Sequence, residues 1–555
     1  MSSTSKAAPA ANVKPSVSNL LPPIEQPMAA SPVTDIRYIN KTLGAQRASS
    51  VKPAHQSEPD HIHDDTCDVN YATVPVQTTL VCTIGPRTKS VSFLSDLISA
   101  GMSVARMNFS HGDHAYHGEV IDNLRTALAS SSVQRQCALM LDTKGPEIRT
   151  GKLRGDKSSV PLTAGNKFVW HNDESRKNDG DENEMYCTYA GLATTVKTGS
   201  KILCSDALLS FTVISVNPEE KRVRCTIDNS GTLGNTKNMN LPNAKVDLPA
   251  LTEKDFADIT FGVSKDIDII AASFIRKASD VEAIRNVPGV REKKIAIVSK
   301  IENQEGLDNF DAILEKTDGI MVARGDLGSE IPIEDVAAAQ KMMIHKCNMA
   351  GKPVITATQM LDSMIKNPRP TRAEATDVFN AVVDGSDAVM LSGETANGDW
   401  PIEAVQTMAR ICRSAEGQLD HREYFMKLRS ALVPPQPLPE SLASTAVKSA
   451  WDLHAPLIVV VTESGATARL VSKYRPHCPI LTITDKPKTA NIAILSRGTV
   501  PYVVQRMFGT EEIAREAINM ALQSRMCTKG DLIPVLFGRR EGVSGSINAM
   551  KIVTV

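Results

Sequence analysis

The stretch IAIVSKIENQEGLDNFDAILEKTDGIMVARGDLGSE, residues 295–330, indicates how the chain folds. It contains two short apolar runs, Ile295–Val298 and Ile320–Ala323, whose starts lie about 25 residues apart. That spacing leaves room for one helix and two tight turns. The stretch therefore predicts a βαβ unit with two parallel strands, each buried on both faces.

Charged residues follow both apolar runs, at the points where the strands are expected to end. Lys300 and Glu302 follow the first run, and Arg324 and Asp326 follow the second. Because the carboxyl ends of parallel strands face the ligand crevice of α/β folds, we expect these groups to meet there. Two carboxylates suit a hard divalent cation, and a lysine beside them suits an anionic substrate. A pair of surface salt bridges is the alternative, and the shared end of the two strands argues against it.

The composition is that of an ordinary globular protein. The 555 residues are 42% hydrophobic with a net charge of −1. No basic surplus therefore points to nucleic acid. No apolar run approaches the ~20 residues that are needed to cross a membrane. The length predicts roughly three or four domains. Ten cysteines without a CxxC pair favour free thiols in a reducing, cytoplasmic compartment. Residues 1–70, rich in Ser, Ala and Pro, predict a disordered N-terminal extension without a leader sequence.

Eight apolar runs recur along the chain, most of them followed by polar or glycine-containing turns. Successive runs start about 24 to 34 residues apart, except for a gap of about 130 between the third and the fourth. This pattern predicts a (β/α)8 TIM barrel over residues 71–145 and 248–420, interrupted by an inserted domain. The runs are Thr79–Thr83, Ser103–Met107, Cys137–Leu141, Asp268–Ser273, Ile295–Ser299, Ile320–Ala323, Pro353–Thr358 and Asp387–Leu391.

The insert, residues 146–247, has the sequence pattern of a small β domain. Apolar and polar residues alternate from Val223 to Asp228, and Lys201–Ile214 is rich in strand-forming residues around a turn near Ser205–Ala207. An insert after the third strand emerges at the catalytic face of a barrel. It is therefore expected to be a β-barrel lid that excludes water. The alternative is an inserted domain that has no role in catalysis.

The last segment, residues 421–555, is again of the α/β type. A buried strand, Leu457–Val461, leads into TESGATA, residues 462–468, at the start of a helix. Hydroxyl side chains and a glycine at such a turn make an anion cradle, because the first amides of the helix are unpaired. Plain N-capping by serine or threonine explains the same residues equally well.

Seven motifs, taken in order, resemble those of the pyruvate kinase family. The resemblance spans about residues 77–555 and implies the barrel, the lid and a C-terminal regulatory domain in a homotetramer. It also implies transfer of the phosphoryl group of phosphoenolpyruvate to ADP, giving pyruvate and ATP, as the last step of glycolysis. The motifs are MNFSHG (107–112), LDTKGPEIRTG (141–151), SKIENQEG (299–306), VARGDLG (322–328), ATQML (357–361), NPRPTRAE (367–374) and SGET (392–395).

The resemblance assigns catalytic and metal-binding roles to residues of these motifs. Lys300 is similar to the cation that stabilises the phosphoryl group in transfer. The implied catalytic residues are Lys300, Thr358, Arg106 and Ser392. The implied substrate-binding residues are Arg106, Lys300, Gly325, Asp326 and Thr358. Glu302 and Asp326 match the ligands of Mg²⁺ or Mn²⁺, and the family's K⁺ site is matched by Asn108, Ser110, Asp142 and Thr143.

Nucleotide and effector contacts are implied in the same way. The nucleotide-binding residues would be Asn108, His111, Arg149 and Lys237. A sugar-phosphate activator would bind the cradle formed by Thr462, Ser464, Gly465 and Thr467, closed by Arg539 and Arg540. The loop that carries the two arginines departs from better-known effector loops, so the number of phosphates on the effector stays open.

Three positions in the insert depart from the family pattern. Ala207 stands where the family has a glycine in its lid turn, and Asn238 and Asn243 stand where glycine usually follows a lysine and a proline. Asparagine tolerates left-handed backbone better than other non-glycine residues, so the turn is expected to survive. Thr371 and Glu374 also form a sequence capping box, which predicts a helix start there.

Two other interpretations compete with an active member of this family. A different barrel enzyme that handles metal-bound enolates would need neither the Asn108–His111 segment nor a lid with Lys237. A catalytically inactive paralogue would have lost Lys300, Glu302, Asp326 or Thr358, and all four are present.

Overall fold

The computed structural model describes residues 76–130, 136–155, 157–507, 509–538 and 547–555. The predicted N-terminal extension, residues 1–70, and both Arg539 and Arg540 lie outside these ranges. In chain order the strands are β1 (Thr79–Thr83), β2 (Val104–Asn108), β3 (Ala138–Asp142), β4 (Ser159–Leu162), β5 (Lys167–His171), β6 (Glu184–Tyr186), β7 (Lys201–Cys204), β8 (Leu209–Asn217), β9 (Arg222–Ile227), β10 (Gly231–Gly234), β11 (Met239–Asn240), β12 (Ile269–Ala272), β13 (Ala296–Ile301), β14 (Gly319–Ala323), β15 (Val354–Ala357), β16 (Ala388–Leu391), β17 (Ile458–Val461), β18 (Ile480–Thr484), β19 (Thr499–Val503), β20 (Leu532–Gly538) and β21 (Ile547–Thr554).

Helices alternate with the barrel strands and flank the C-terminal sheet. The capping box predicted from Thr371 and Glu374 is present at the start of the tenth of them. In chain order they are α1 (Val91–Ala100), α2 (His114–Ser130), α3 (Leu192–Thr195), α4 (Glu253–Ser264), α5 (Ala278–Arg285), α6 (Gln304–Asp308), α7 (Phe310–Lys316), α8 (Arg324–Glu330), α9 (Val336–Ala350), α10 (Arg372–Val383), α11 (Gly393–Ala396), α12 (Pro401–Glu416), α13 (His421–Ser430), α14 (Leu438–Asp452), α15 (Ala466–Lys473), α16 (Pro487–Ala493) and α17 (Thr510–Gln523).

Eight parallel strands close into a barrel in the order β1-β16-β15-β14-β13-β12-β3-β2. Each of the eight predicted runs overlaps one of these strands, and no strand end differs from its predicted position by more than two residues. The predicted barrel is therefore confirmed. Its interior is a hydrophobic cluster with side chains from all eight strands, and Ile494 and Leu495 from the C-terminal domain complete it. These two residues lie at the N-terminal end of the barrel, because the Thr79 hydroxyl at the start of β1 donates to the Ile494 carbonyl.

Strands β4 to β11 form the inserted β domain between β3 and β12. A six-stranded sheet, in the order β11-β7-β8-β9-β5-β6, and a two-stranded sheet of β10 and β4 share one hydrophobic cluster. Phe168, Trp170 and Phe211 fill its centre with ring centroids about 5 Å apart, at 4.9, 5.2 and 5.2 Å. The turn between β7 and β8 holds Ser205, Asp206 and Ala207 in left-handed backbone, with φ of 55°, 54° and 63°.

The C-terminal domain is a five-stranded sheet in the order β19-β18-β17-β20-β21, parallel except for β21. Helices α14 and α15 pack on one face through a cluster that includes Val460, and α17 packs on the other through a cluster that includes Val459. The chain leaves β17 first toward β18 and later returns to β20 on its other side. The carboxyl ends of β17 and β20 therefore flank the switch point at which open α/β sheets bind ligands.

The cysteines and the helices bear on two predictions from the sequence, namely free thiols and the absence of a membrane-spanning segment. The nine cysteines in the described ranges are all free and buried, as predicted for a chain without disulfides. Among the helices of the described residues, none is long and apolar enough to cross a membrane.

Candidate active site

Lys300 lies at the centre of a cluster of buried charges at the carboxyl end of the barrel strands. Its ammonium group donates to Asp142 Oδ1 at 3.1 Å and to Ser273 Oγ at 2.7 Å, and lies 2.9 Å from Glu302 Oε1. Arg106 Nε donates to the other oxygen of Asp142 at 2.7 Å. The structure thus brings together residues from the ends of β2, β3 and β13 that lie far apart in the sequence.

Burial and neighbouring charges set the pKa values in this cluster. Burial alone would lower the pKa of Lys300, but the carboxylates of Asp142 and Glu302 outweigh it and raise that pKa, so the lysine is held as a cation. Burial also disfavours a charged Asp142, yet Arg106 and Lys300 keep its pKa below the ordinary value. For Glu302, burial and the nearby Asp326 outweigh the attraction of Lys300 and raise its pKa above the ordinary value. Asp142 is therefore held as an anion, and Glu302 is the carboxyl group whose negative charge is least offset by nearby cations.

Asp326 and Gly325 lie in the first turn of α8, which follows β14 directly. Burial is the largest cause that raises the pKa of Asp326, and the charge of Glu147 adds to it. A Cβ on Gly325 would come within 2.9 Å of Thr358 Cγ2, so glycine is required for the close approach of these two segments. Thr358 itself has φ of 75°, in the left-handed region that threonine rarely adopts.

Arg324 fixes this unusual conformation of Thr358. Its guanidinium donates to the Thr358 carbonyl, with Nη2 at 2.7 Å and Nε at 3.2 Å. The same guanidinium forms two parallel bonds, each of 2.7 Å, to the carboxylate of Asp377 on α10. A planar, bidentate clamp of this kind fixes both direction and distance. Arg324 is thus a positioning residue for Thr358.

The four residues that match a potassium site lie on and after two adjacent strands. Asn108 at the end of β2 is in register with Asp142 at the end of β3. Asn108 Oδ1 accepts a hydrogen bond from the Ser110 amide at 3.0 Å, and Thr143 Oγ1 accepts one from the Ser273 amide at 3.0 Å. All four residues carry oxygen atoms, which suit a hard cation.

The predicted nucleotide-binding residues lie at the rim of the same end of the barrel. His111 and Lys237 are exposed. Arg149, by contrast, is held by the carboxylate of Glu147, with Nε at 2.8 Å, and by the Thr236 carbonyl, with Nη1 at 2.8 Å. Its backbone bridges to Asn238, next to Lys237. Arg149 would have to exchange the Glu147 contact before it could bind a phosphate.

Ser392 follows β16 and is positioned by a buried glutamate. The carboxylate of Glu394 accepts hydrogen bonds from the Ser392 amide at 2.7 Å and from the Leu361 amide at 3.1 Å. Leu361 follows Thr358 by three residues, so Glu394 links the segments after β15 and β16. Burial raises the pKa of Glu394 above its ordinary value.

Two contacts attach the lid to the barrel beside the site. The guanidinium of Arg276 donates to the carbonyls of Val246 and Leu248 in the returning connection. Asn240 in β11 donates to Glu330 Oε1 at 2.9 Å, at the end of α8. The helix that carries Gly325 and Asp326 is therefore tied directly to the lid.

The predicted effector cradle is a tight turn at the carboxyl end of β17. The Gly465 amide donates to the buried Thr462 hydroxyl at 3.0 Å, and Gly465 has φ of 77°. Thr467 is buried and Ser464 is exposed. The turn lies at the switch point of the sheet, and its two predicted arginines fall outside the described residues.

Comparison with known proteins decides the family. Residues 76–405 match the family model "Pyruvate kinase, barrel domain", and residues 440–553 match "Pyruvate kinase, alpha/beta domain". The chain belongs to the pyruvate kinase family.

Relatives of known sequence and structure agree with this assignment. A pyruvate kinase of Dictyostelium discoideum is 50% identical over 483 residues, covering 86% of this chain and 94% of the relative. A cytosolic pyruvate kinase isozyme of Nicotiana tabacum is 49% identical over 516 residues, covering 89% and 99%. The crystal structure of a pyruvate kinase from Cryptosporidium parvum superimposes with a TM-score of 0.83 at 44% identity, covering 88% of this chain and 97% of that one. The resemblance and the fold class predicted from the sequence are confirmed, and the protein is a phosphotransferase of the pyruvate kinase family.

Sequence reasoning missed two parts of this pyruvate kinase site. Ser273 contacts Lys300, and the sequence signal was available, because Ser273 ends the predicted run Asp268–Ser273 at the carboxyl side. The Arg324–Asp377 clamp had no comparable signal. The two residues are 53 positions apart and belong to different elements, so only the folded barrel shows that they meet.

Proposed function

We propose that the protein transfers the phosphoryl group of phosphoenolpyruvate to ADP at the Lys300 cluster. The observation that carries the proposal is the buried ammonium of Lys300, which lies between the carboxylates of Asp142 and Glu302 and beside Ser273. A cation fixed in this way can offset the charge that spreads over the phosphoryl oxygens during transfer. Arg106, buried beside it, is the second cation for the same phosphate.

The residues that would hold the divalent metal, Glu302 and Asp326, fit a magnesium or manganese ion. Glu302 Oε1 is buried, and apart from its ion pair with Lys300 no hydrogen bond to it is found in the described residues. Burial raises the pKa values of both carboxyls, and the charge of Asp326 adds to the effect on Glu302; a divalent cation between them would reverse these shifts. The described ranges contain no group of three or more His, Cys, Asp or Glu that could hold a metal, so substrate and water oxygens would complete the coordination. When bound, the ion supplies positive charge opposite the substrate's carboxylate and phosphate.

The remaining side chains would orient the substrate and handle a proton. The backbone amides at the start of α8, at Gly325 and Asp326, would bind the substrate carboxylate together with the Thr358 hydroxyl. Arg324 keeps Thr358 in place for this task. The enolate carbon must then receive a proton, and Thr358 and Ser392 would orient the water molecule that delivers it.

We propose further that the enzyme requires potassium. Asn108, Ser110, Asp142 and Thr143 offer oxygen atoms from two adjacent strand ends. Glu147 stands where potassium-independent relatives are expected to carry a lysine, and its carboxylate is close enough to raise the pKa of Asp326. The potassium ion would supply the positive charge that this position lacks. His111 and Lys237, with Arg149, would bind the nucleotide.

A sugar phosphate is proposed as the activator, bound at the cradle of Thr462, Ser464, Gly465 and Thr467. Its position at the switch point of the C-terminal sheet supports this role. The test is calorimetric titration of the wild type and of Thr467→Glu with glucose 6-phosphate and fructose bisphosphates. We expect binding to the wild type and at least a tenfold loss in the variant. Equal binding to a folded variant would place the effector elsewhere.

The catalytic proposal is tested by an assay coupled to reduction of pyruvate. We expect turnover that needs phosphoenolpyruvate, ADP, Mg²⁺ and K⁺ together, and omission of any one should abolish most of it. A folded protein that binds phosphoenolpyruvate without forming pyruvate would refute the proposal. A homotetramer in the cytoplasm is proposed from the family resemblance, and the cytosolic names of relatives such as the Nicotiana tabacum isozyme support the location.

A further inference from the structure

A large cavity separates the N-terminal end of the barrel from the C-terminal domain. Its volume is about 580 Å³, and it is lined on one side by residues that precede β13, β14 and β15, among them Ile295, Asp318 and Pro353. On the other side it is lined by Gly465 and Asp485, which follow β17 and β18. The cavity thus lies at the opposite end of the barrel from Lys300, and it has the size of a metabolite-binding site.

Basic side chains dominate the lining of this cavity. Seven lysines and arginines line it against three acidic residues. Lys293 and Lys294 belong to the barrel side, and Arg469, Lys486 and Lys488 belong to the C-terminal side. Such an excess of one sign in a concave, partly enclosed space concentrates anions.

Two of these cations form no ion pair within the described residues. Lys488 forms an ion pair with Asp268 at 3.0 Å, Lys486 pairs with Glu463, and Lys293 donates to the Val263 carbonyl at 2.8 Å. In contrast, no hydrogen bond or ion pair is found for the side chains of Lys294 and Arg469 in the part of the chain that the structure describes. Burial lowers the pKa of Arg469, with only the charge of Asp318 opposing this shift. Each wall therefore carries one cation without a direct ion pair among the described residues, Lys294 on the barrel side and Arg469 on the C-terminal side.

We propose that this cavity binds a compact metabolite with two or more phosphate groups, held between Lys294 of the barrel and Arg469 of the C-terminal domain. Arginine suits bidentate contact with phosphate. A second phosphate is needed because the two cations lie on opposite walls of the cavity. The site is different from the effector cradle, because its charged groups are Arg469, Lys486, Lys488 and residues of the barrel, and neither Thr462 nor Thr467 lines it. Only Ser464 and Gly465 border both.

Such a ligand would be connected to the barrel through the hydrogen bonds of α16. Lys488, in the first turn of this helix, donates to the Ile267 carbonyl at 2.7 Å, and Asn491 donates to the carboxylate of Asp268 at 3.1 Å. Asp268 in turn accepts the Leu139 amide of β3 at 2.9 Å. A ligand in the cavity would therefore cross-link the two domains at the point where strands β3 and β12 begin.

The test is calorimetric titration of the full chain with inorganic triphosphate in a magnesium-free buffer. We expect binding in the micromolar to millimolar range that weakens at least fivefold in Lys294→Glu and in Arg469→Met. Lys529→Glu, an exposed lysine outside the cavity, is the matched control and should bind as the wild type does. Lys294 is exposed, so that variant carries the test if Arg469→Met fails to fold.

Three results would overturn the proposal. The first is no detectable binding of triphosphate to the wild type. The second is unchanged binding in Lys294→Glu together with its loss in Thr467→Glu, which would assign the anion to the cradle. The third is complete displacement of triphosphate by phosphoenolpyruvate, which would assign it to the active site. Because the readout is binding and not turnover, these results are independent of the proposed function.

Discussion

Replacing Lys300 with methionine tests the charge cluster, because it removes the one cation shared by Asp142 and Glu302. Asp142 keeps Arg106, whose Nε lies 2.7 Å away, whereas Glu302 loses its one ion pair within the described residues and keeps the hydrogen bond from the Phe274 amide at 2.5 Å. Loss of a cation that stabilises the transferred phosphoryl group costs on the order of 10³-fold in turnover or more. Breaking a buried ion pair costs about 3–5 kcal/mol of stability. We therefore expect two separate losses from one substitution.

A second substitution separates the two losses. Glu302→Gln, added to Lys300→Met, removes the carboxylate left without a partner, and it should recover most of the thermal stability in magnesium-free buffer. It should recover no turnover, since both the cation and a metal ligand are then absent. The measurements are melting temperature and steady-state kinetics with varied phosphoenolpyruvate. A folded Lys300→Met enzyme with more than a tenth of wild-type turnover would show that Lys300 is not the phosphoryl-stabilising group.

Three further predictions concern the cation requirement and the lid. Glu147→Lys should give activity in a potassium-free tetramethylammonium buffer, in which the wild type should be nearly inactive; full wild-type activity there would contradict the potassium site. Ala207→Gly should raise the unfolding free energy of the lid by about 1 kcal/mol, because φ of 63° strains alanine but not glycine; local hydrogen exchange measures this, and unchanged exchange would show that the turn is unstrained. Burial raises the pKa of Glu330 from 4.5 to about 7, so its contribution to stability is full below pH 4.5 and is lost as the pH rises through 7. Glu330→Gln should therefore melt higher than the wild type at pH 8 and equally at pH 5, and equal melting at both would refute this environment for Glu330.

The barrel was predictable because its strands are buried on both faces. A strand such as β13 then begins with a short apolar run, and the first polar residues, Ser299 and Lys300, lie near its carboxyl end. This one rule places Lys300, Glu302 and Asp326 at one end of the barrel without any knowledge of their contacts. The same rule places Ser273, the last residue of the run Asp268–Ser273, at this end of the barrel.

The contacts between elements were not predictable. Nothing in the sequence distinguishes Asp377, which binds Arg324, from the other acidic residues on helix surfaces. The pairing of Arg149 with Glu147 was also hidden, because it depends on the path that the chain takes from the barrel into the lid. Asn243 has φ of 61°, as its place at a glycine position led us to expect, whereas Asn238 is not among the described residues with positive φ. Side-chain partners depend on the assembled fold and not on local pattern.

The position of Ile494 and Leu495 has a consequence for how the protein is made. The ribosome completes the last barrel strand at Leu391, but the two residues that finish the barrel interior come about 100 residues later. Until then the apolar side chains at the N-terminal end of the strands stay open to water, which favours association with other chains. A premature stop after residue 420 would leave every proposed catalytic side chain in the product and still yield an aggregation-prone barrel. The interior of the barrel is thus complete only after the C-terminal domain has been synthesised.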